Sequence, residues 1–372
     1  KDLCLAHPRG GIMNVDVLSF GRLAHRIFEE VGEDGRQVLD DEGKNLVLRR
    51  IAGNYEDELT VLKGNLKKQG YISEVKSVIS EFTQYGVDFE RLDGFMEGLN
   101  PDSYLFYKLK DIKKVYEGFE EYLSEKYITK EEMLDVLSSV VPDSQILRGS
   151  VVAMDGFTGF TPVQNRLLGE LLRVCDKVMI TVEMDQREDP YVCRHPYQLF
   201  ALSKQMVTSL VAIAGETGTE IEEPVCLYEK PVRRFRGNPA MAFLESELFR
   251  YSSAAFEEEQ EAVSLHEARN PRAEAQYVAE EIRRLVRTKG YRYREIAVIA
   301  SDMNVYADAL EKACGAFDIP VFMDYKKSIL LNAFVEYLRS LLAMAEQNFT
   351  YESVFRHLRT GLCGFTPEEI DR

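Results

Sequence analysis

Apolar residues recur at three- and four-residue steps over most of the chain and give way to short unbroken apolar runs at only a few places. Val15-Asp16-Val17-Leu18-Ser19 alternates and predicts a strand that runs straight into a helix, Phe20 to Val31. In that helix Phe20, Leu23, Ala24, Ile27, Phe28 and Val31 share one face, Arg22, His25, Arg26 and Glu29 lie off it, and Gly32 supplies a stop. From about Leu39 to Gln145 the pattern is almost wholly helical, as in Val75, Val78, Ile79, Phe82 and in Leu109, Ile112, Val115, Tyr116, Phe119. The grammar then changes. Ser150 to Met154 is an apolar run ending in Asp155-Gly156, Thr161-Pro162 offers an N-cap and a first-turn proline, and a helix follows with Leu167, Leu168, Leu171 and Leu172 inward. Lys177 to Val182 predicts another buried strand, and a helix near Tyr197 to Ala214 comes next. Strand, turn, helix, strand is the pattern of an α/β fold.

The acidic run Glu257-Glu258-Glu259-Gln260-Glu261 predicts a linker, after which the pattern repeats. Strands are expected at Ala262 to His266, Ile296 to Ala300 and Ile319 to Met323. Asn270-Pro271 opens a helix with Ala275, Val278, Ile282 and Leu285 inward, Asp302 caps one that ends near Gly315, and another covers about Asn332 to Ala345. Thr366-Pro367-Glu368-Glu369 starts a last helix, cut short at Arg372.

Composition narrows the class. A chain of 372 residues, 45% hydrophobic and 29% charged, is ordinary globular protein with room for two or three domains. No stretch of about 18 uncharged apolar residues occurs, so no membrane span is expected. The start, Lys1-Asp2-Leu3-Cys4, is not a signal peptide; it lacks an initiator Met and reads as mid-protein sequence. Cys4, Cys175, Cys193, Cys226, Cys314 and Cys363 are scattered and read as reduced, buried thiols of a cytoplasmic protein. The five histidines show no metal-binding spacing, so no metal is expected. The net charge of −16 weighs against nucleic acid as a partner, although an acidic protein can still carry one basic groove.

Candidate chemistry centres on the strand ending in Asp155. An apolar strand, Asp, turn and helix is the shape of a Walker B element, in which the Asp holds Mg²⁺ and a following Glu polarises water. Here the Glu position is Gly156, and no GxxxxGK[ST] loop cradles phosphates, so the element reads as degenerate. The bland reading of Asp155 is a strand-end carboxylate bonding the following turn. No complete catalytic site emerges, and no cofactor is expected. Two basic stretches, Arg233-Arg234-Phe235-Arg236 and Arg283, Arg284, Arg287, Lys289, Arg292, Arg294, can either meet phosphate or serve as solvated charge. Phe157 and Phe160 flank a turn, where they can stack on bases or pack into the neighbouring core.

Asn270-Pro271-Arg272-Ala273-Glu274-Ala275, then Ala279 to Leu285, then Tyr291 to Ile299 resembles the start of the second motor domain of UvrD-type superfamily I helicases, and Asp318-Ile319-Pro320-Val321-Phe322 continues the likeness. Val17-Leu18-Ser19-Phe20-Gly21-Arg22-Leu23-Ala24, Asp155-Gly156-Phe157-Thr158-Gly159-Phe160-Thr161-Pro162 and Asp324-Tyr325-Lys326-Lys327-Ser328 resemble one branch, the AddB (RexB) subunits of bacterial helicase–nucleases. The resemblance implies two RecA-like parallel-sheet domains, both incomplete here. The first covers 1–35 and 146–255 and carries a helical insertion at 36–145; the second covers 262–372 and runs into its own insertion. It implies a helicase-like fold that no longer works as a motor, an AddA-type partner, and a role with single-stranded DNA, including Chi recognition, in double-strand break resection. It also implies a piece without the phosphate loop that precedes this region and without the C-terminal nuclease and its iron–sulfur cysteines. The family's Chi-reading segments map onto Phe20, Arg22, His25, Phe157 and Phe160, with His25 standing where some members carry Trp. Ser301 occupies a position where active helicases carry Arg. Two rivals remain: an autonomous UvrD-like ATPase, and an interaction scaffold that never touches DNA.

Overall fold

The computed structural model describes residues 2–32, 36–66, 68–124, 126–229, 232–250 and 252–370. The expected boundary near residue 35 and the terminal Arg372 lie outside the described residues. The chain divides into two compact units, Lys1–Ala254 and Ala255–Arg372. It is an α/β protein, mostly helical, with parallel strand pairs.

The first unit holds two cores. One is wholly helical and lies among α2 (Asp41–Asn54), α3 (Gln69–Tyr85), α4 (Phe89–Glu97) and α5 (Tyr104–Leu123), around Leu48, Ile51, Ile72, Ile79, Val115 and Phe119. Local chemistry sets the ends of these helices. Asp40, Asp88 and Ser103 accept from backbone N–H groups of the first turns they cap, and Gly86, at φ 65°, closes α3 in the left-handed conformation. At Gly118 a Cβ would stand 2.7 Å from the Tyr55 ring and 2.9 Å from Ile51, so glycine lets α5 lie close on α2. The buried Asp111 carboxylate accepts from the N–H groups of Thr60, Val61 and Leu62 at 2.6–3.0 Å and ties the irregular stretch after α2 to α5.

The second core gathers Ala24, Ile27, Leu137, Leu167, Leu168 and Leu171 beneath β3 (Val151–Met154) and β4 (Lys177–Ile180). It is built by α1 (Phe20–Val31), α6 (Lys130–Val140), α7 (Pro162–Val174) and α8 (Ala201–Thr217), and α9 (Pro239–Glu247) follows later in the unit. β3 and β4 pair in parallel, Val151 beside Lys177 through Met154 beside Ile180, with α7 as the crossover between them. The start of α7 follows its sequence: Pro162 stands in the first turn, and Thr161 and Gln164 close a reciprocal capping box. A shorter parallel pair, β1 (Gln37–Val38) with β2 (Tyr127–Ile128), stands where the helical region leaves and rejoins this layer. Two polar locks stand out, the first between the two cores and the second within the second core. Lys44, buried on α2, bonds Glu131 at the start of α6 at 2.7 Å. Glu30, on the last turn of α1, accepts from Ser144 Oγ and from the N–H groups of Gln145 and Ile146 at 2.6–2.9 Å, and these bonds hold its carboxyl below the usual range.

The second unit contains α10 (Pro271–Thr288), α11 (Met303–Ala316), α12 (Ala333–Glu346) and α13 (Tyr351–Leu358). α10 and α11 close on Ala279, Ile282, Cys314 and Ile319, and α12 packs on α13 around Ser340 and His357, which bond at 3.1 Å. Asn270 and Asp302 cap α10 and α11 as their sequence directs.

Several expected strands differ from what forms. Residues 15–19 join no ladder; Val15 and Val17 are exposed, and Ser19 serves instead as the N-cap of α1. Nor do 262–266, 296–300 and 319–323 pair among the described residues. Alternating or unbroken apolar residues give a segment strand propensity, but a strand exists only where a neighbour accepts its backbone hydrogen bonds. The cysteines depart from expectation too. Cys314 is buried, Cys226 is exposed, and the other four are partly buried; all are free thiols.

Candidate functional site

Of the residues singled out along the sequence, three phenylalanines meet. The rings of Phe20 and Phe157 lie 5.6 Å apart by centroid and those of Phe157 and Phe160 5.0 Å apart, both tilted. They assemble because α1 starts at Phe20 beside the carboxyl end of β3, and the turn leaving β3 carries Phe157 and Phe160 into the N-cap of α7. The cluster rests on the second core of the first unit, with each ring partly open to solvent. Such tilted contacts place ring edges against ring faces, the arrangement aromatic quadrupoles favour.

Arg22 and His25 do not join the rings. On a helix they stand roughly half a turn around from Phe20, about 140–200° at 100° per residue. Both are exposed, and no ring or cation–π contact ties them to the phenylalanines among the described residues. Arg22 has no ion-pair partner among the described residues, whereas its neighbour Arg26 holds Asp16 at 3.2 Å.

At the strand end read from the sequence as a degenerate Walker B element, Asp155 accepts from Thr181 Oγ1 at 2.5 Å, and Thr181 N–H donates to the Met154 carbonyl at 2.9 Å. Asp155 therefore bridges the ends of the two parallel strands rather than bonding its own turn. Gly156 has φ +79°, a conformation that strains any residue with a Cβ, so a glutamate here would be disfavoured as well as absent. Ser301 is exposed in the second unit.

Thr181 is the member of this edge that sequence reasoning missed; its signal was a hydroxyl at the end of a predicted strand. A second feature missed is the ionic brace on the chain leaving β4. Arg250 bonds Asp185 at 2.5 Å and Glu188 at 2.7 Å, Arg187 also holds Asp185, and the buried Lys204 bonds Glu188 at 2.6 Å. Hydrogen bonds from Arg187 hold Asp185 well below the usual carboxylate range, and those from Lys204 and Arg250 lower Glu188.

The two basic stretches are treated differently. Arg284, Lys289 and Arg292 are each engaged by a glutamate, Glu281, Glu261 and Glu295, and Arg283 reaches the Tyr293 hydroxyl at 3.4 Å. At 233–236, Arg236 bonds Glu229 at 2.6 Å, while Arg233 and Arg234 lie exposed in a short 3₁₀ turn. Among the described residues no group of three or more His, Cys, Asp or Glu is placed to hold a metal ion, and no helix is long and apolar enough to cross a membrane.

A parallel strand pair with a helical crossover, a strand-end Asp followed by glycine, and an aromatic cluster meet at one carboxyl edge. The chain belongs to the AddB N-terminal family, whose sequence pattern matches residues 1–245. It is similar over its whole length, at 41% identity, to a protein of Lachnoclostridium phytofermentans named as the B subunit of an ATP-dependent helicase/deoxyribonuclease, of which it covers 32%. Proteins of the same name from Thermoanaerobacter sp. strain X514 and Acetivibrio thermocellus are 35% and 32% identical over 96% and 100% of this chain. The chain spans about a third of the length of these curated relatives, 31–32%.

Proposed function

We propose that this chain is the non-catalytic, helicase-like portion of the B subunit of a helicase–nuclease, and that it holds single-stranded DNA along the carboxyl edge of β3 and β4. The reading places it in the cytoplasm beside an AddA-type helicase–nuclease partner, in double-strand break resection and Chi recognition for recombinational repair. The observation that carries it is the meeting of Phe20, Phe157 and Phe160, from segments 137 residues apart, as a half-open aromatic cluster at a strand edge. Carboxyl edges of parallel sheets collect ligands because turns and helix N-termini converge there, and half-open rings offer faces on which bases stack. Arg22, exposed and without a carboxylate partner among the described residues, supplies a charge for phosphate on the neighbouring helix face. His25 extends that face. The names of the relatives support the helicase–nuclease setting, and Gly156 in its left-handed conformation supports a role other than ATP hydrolysis.

Fluorescence anisotropy with a labelled oligothymidylate tests the reading. Phe160→Ala and Arg22→Ala are expected to weaken binding, the ring by about tenfold, as one lost stacking contact implies, with the thermal midpoint nearly unchanged. Unaltered affinity in both variants would remove the edge from the DNA path. The scaffold reading draws on one observation of its own, the glutamates that neutralise half of the basic residues in the stretch at 283–294. It predicts no oligonucleotide binding at all.

A further inference from the structure

The chain leaving β4 carries a second aromatic surface. Among residues 191–199, Tyr191 is 57% and Tyr197 81% exposed, and the rings of His195 and Tyr197 lie parallel, 5° apart in plane, with centroids 4.9 Å apart. Rings so open gain little from burial, yet the segment bearing them carries several local hydrogen bonds. Gln198 Oε1 accepts from the N–H groups of Arg194 and His195 at 3.2 and 3.5 Å, Asp189 Oδ1 accepts from Tyr191 N–H at 2.9 Å, and Gln198 N–H donates to the His195 carbonyl. The ionic brace of Asp185, Glu188, Lys204, Arg187 and Arg250 flanks it on both sides along the chain, and the Arg250 guanidinium sits over the Phe200 ring at 5.4 Å. Arg194 is exposed and has no ion-pair partner among the described residues.

We infer that Tyr191, Arg194, His195 and Tyr197 form a platform for the unstacked bases of single-stranded nucleic acid. A parallel pair of rings presents a flat face on which a third planar ring stacks, and this favours bases over the curved apolar side chains of a protein partner. Asp185 and Glu188 are occupied by Arg187, Arg250 and Lys204, and Arg194, which has no ion-pair partner among the described residues, can meet phosphate. Bracing by a partly buried ionic network lowers the ordering cost that a loose loop would bear on binding. Because β3 and β4 are adjacent and parallel, this segment and the Phe157–Phe160 turn leave the same sheet edge. The inference deepens the proposed reading of that edge and names further residues along the strand's path.

The test uses the 372-residue chain and a fluorescein-labelled oligothymidylate, with thermal melts as control. Tyr197→Ala is expected to weaken binding about tenfold, Tyr197→Phe to retain it, and Arg194→Ala to lower the salt dependence of log K by about 0.7, the loss of one single-strand phosphate contact. Photo-crosslinking of an iodouracil-substituted oligonucleotide to the unaltered protein, mapped by mass spectrometry, is expected to mark Tyr191 or Tyr197. The crosslink decides the matter should Tyr197→Ala fail to fold. Full affinity in Tyr197→Ala alongside weakened Phe160→Ala overturns the platform and leaves the β3 edge standing. Weakened Tyr197→Ala alongside unaffected Phe160→Ala and Arg22→Ala supports the platform and removes the earlier site. Absence of binding at roughly 100 µM, the weak end of non-specific affinity, overturns both.

Discussion

Two regions of this chain carry the same alternation of apolar runs and amphipathic helices and end differently. In the first unit, 151–154 and 177–180 flank α7, pair in register, and close over Leu167, Leu168 and Leu171. In the second, 262–266, 296–300 and 319–323 flank α10 and α11 with equally good caps, yet no ladder joins them. Leu265, Ile299 and Phe322 are 98%, 95% and 89% exposed there. Helices complete their hydrogen bonds within one segment, so both units keep them. A strand completes its bonds only with another segment, and a parallel pair rewards that closure late, after the crossover has been ordered. The contrast teaches that apolar sequence proposes a strand and the ladder disposes of it.

The largest expected effect sharpens the contrast from the paired side. Leu168→Ala empties a fully buried position under β3 and β4 and should cost about 2–5 kcal/mol. Chemical denaturation followed by hydrogen exchange should register that loss in residues 151–180, and an effect confined to 262–323 would reverse the picture of which region is closed.

A middle effect concerns pH in the first unit. Burial first, then the neighbouring Glu132 carboxylate, pushes Glu120 up to about 7. The folded chain thus keeps a proton between about pH 4.5 and 7 that the unfolded chain has released, so stability falls as pH rises through that window and is flat above it. Glu120→Gln keeps a donor toward Glu132 and should remove the fall. Thermal midpoints that drop by a few degrees between about pH 5 and pH 8 in the parent and not in the variant would agree. Identical slopes in both would show that the two carboxyls do not share a proton.

The smallest effect comes from the unpaired side. Ile299→Ala changes a residue that touches little and should alter stability by no more than about 0.5 kcal/mol. A loss of several times that size would mean that 296–300 is closed in solution, and the contrast between the two units would dissolve.

What was legible in the sequence follows the same division. The ends of α7, α10 and α11 could be read from Thr161, Pro162, Asn270 and Asp302 because a cap is a contact over two or three residues. The phenylalanine cluster was legible only through the family resemblance, which groups Phe20 with Phe157 and Phe160; the strand at 15–19 expected to carry Phe20 to the sheet edge does not form. The Asp155–Thr181 bridge, the Glu30 lock and the brace from Asp185 to Arg250 were not legible. Each depends on side-chain rotamers, and the first on strand register, with partners 26 to 116 positions away, and no local pattern encodes those. The basic stretch at 283–294 misled in the opposite sense. A count of arginines does not reveal that Glu281 and Glu295, three residues from their partners, absorb two of the charges.

The parallel contact of 37–38 with 127–128 and the grip of Glu30 on 144–146 have a consequence for how the molecule opens. They act as a hasp at the root of the long helical excursion and join its entrance to its exit. Thermal agitation can then fray that excursion as a cooperative unit of its own while the aromatic edge stays assembled. Closing a flexible loop costs entropy that grows only with the logarithm of its length. A hasped excursion can therefore lengthen or shorten in the course of evolution with little disturbance to the phenylalanines at its base.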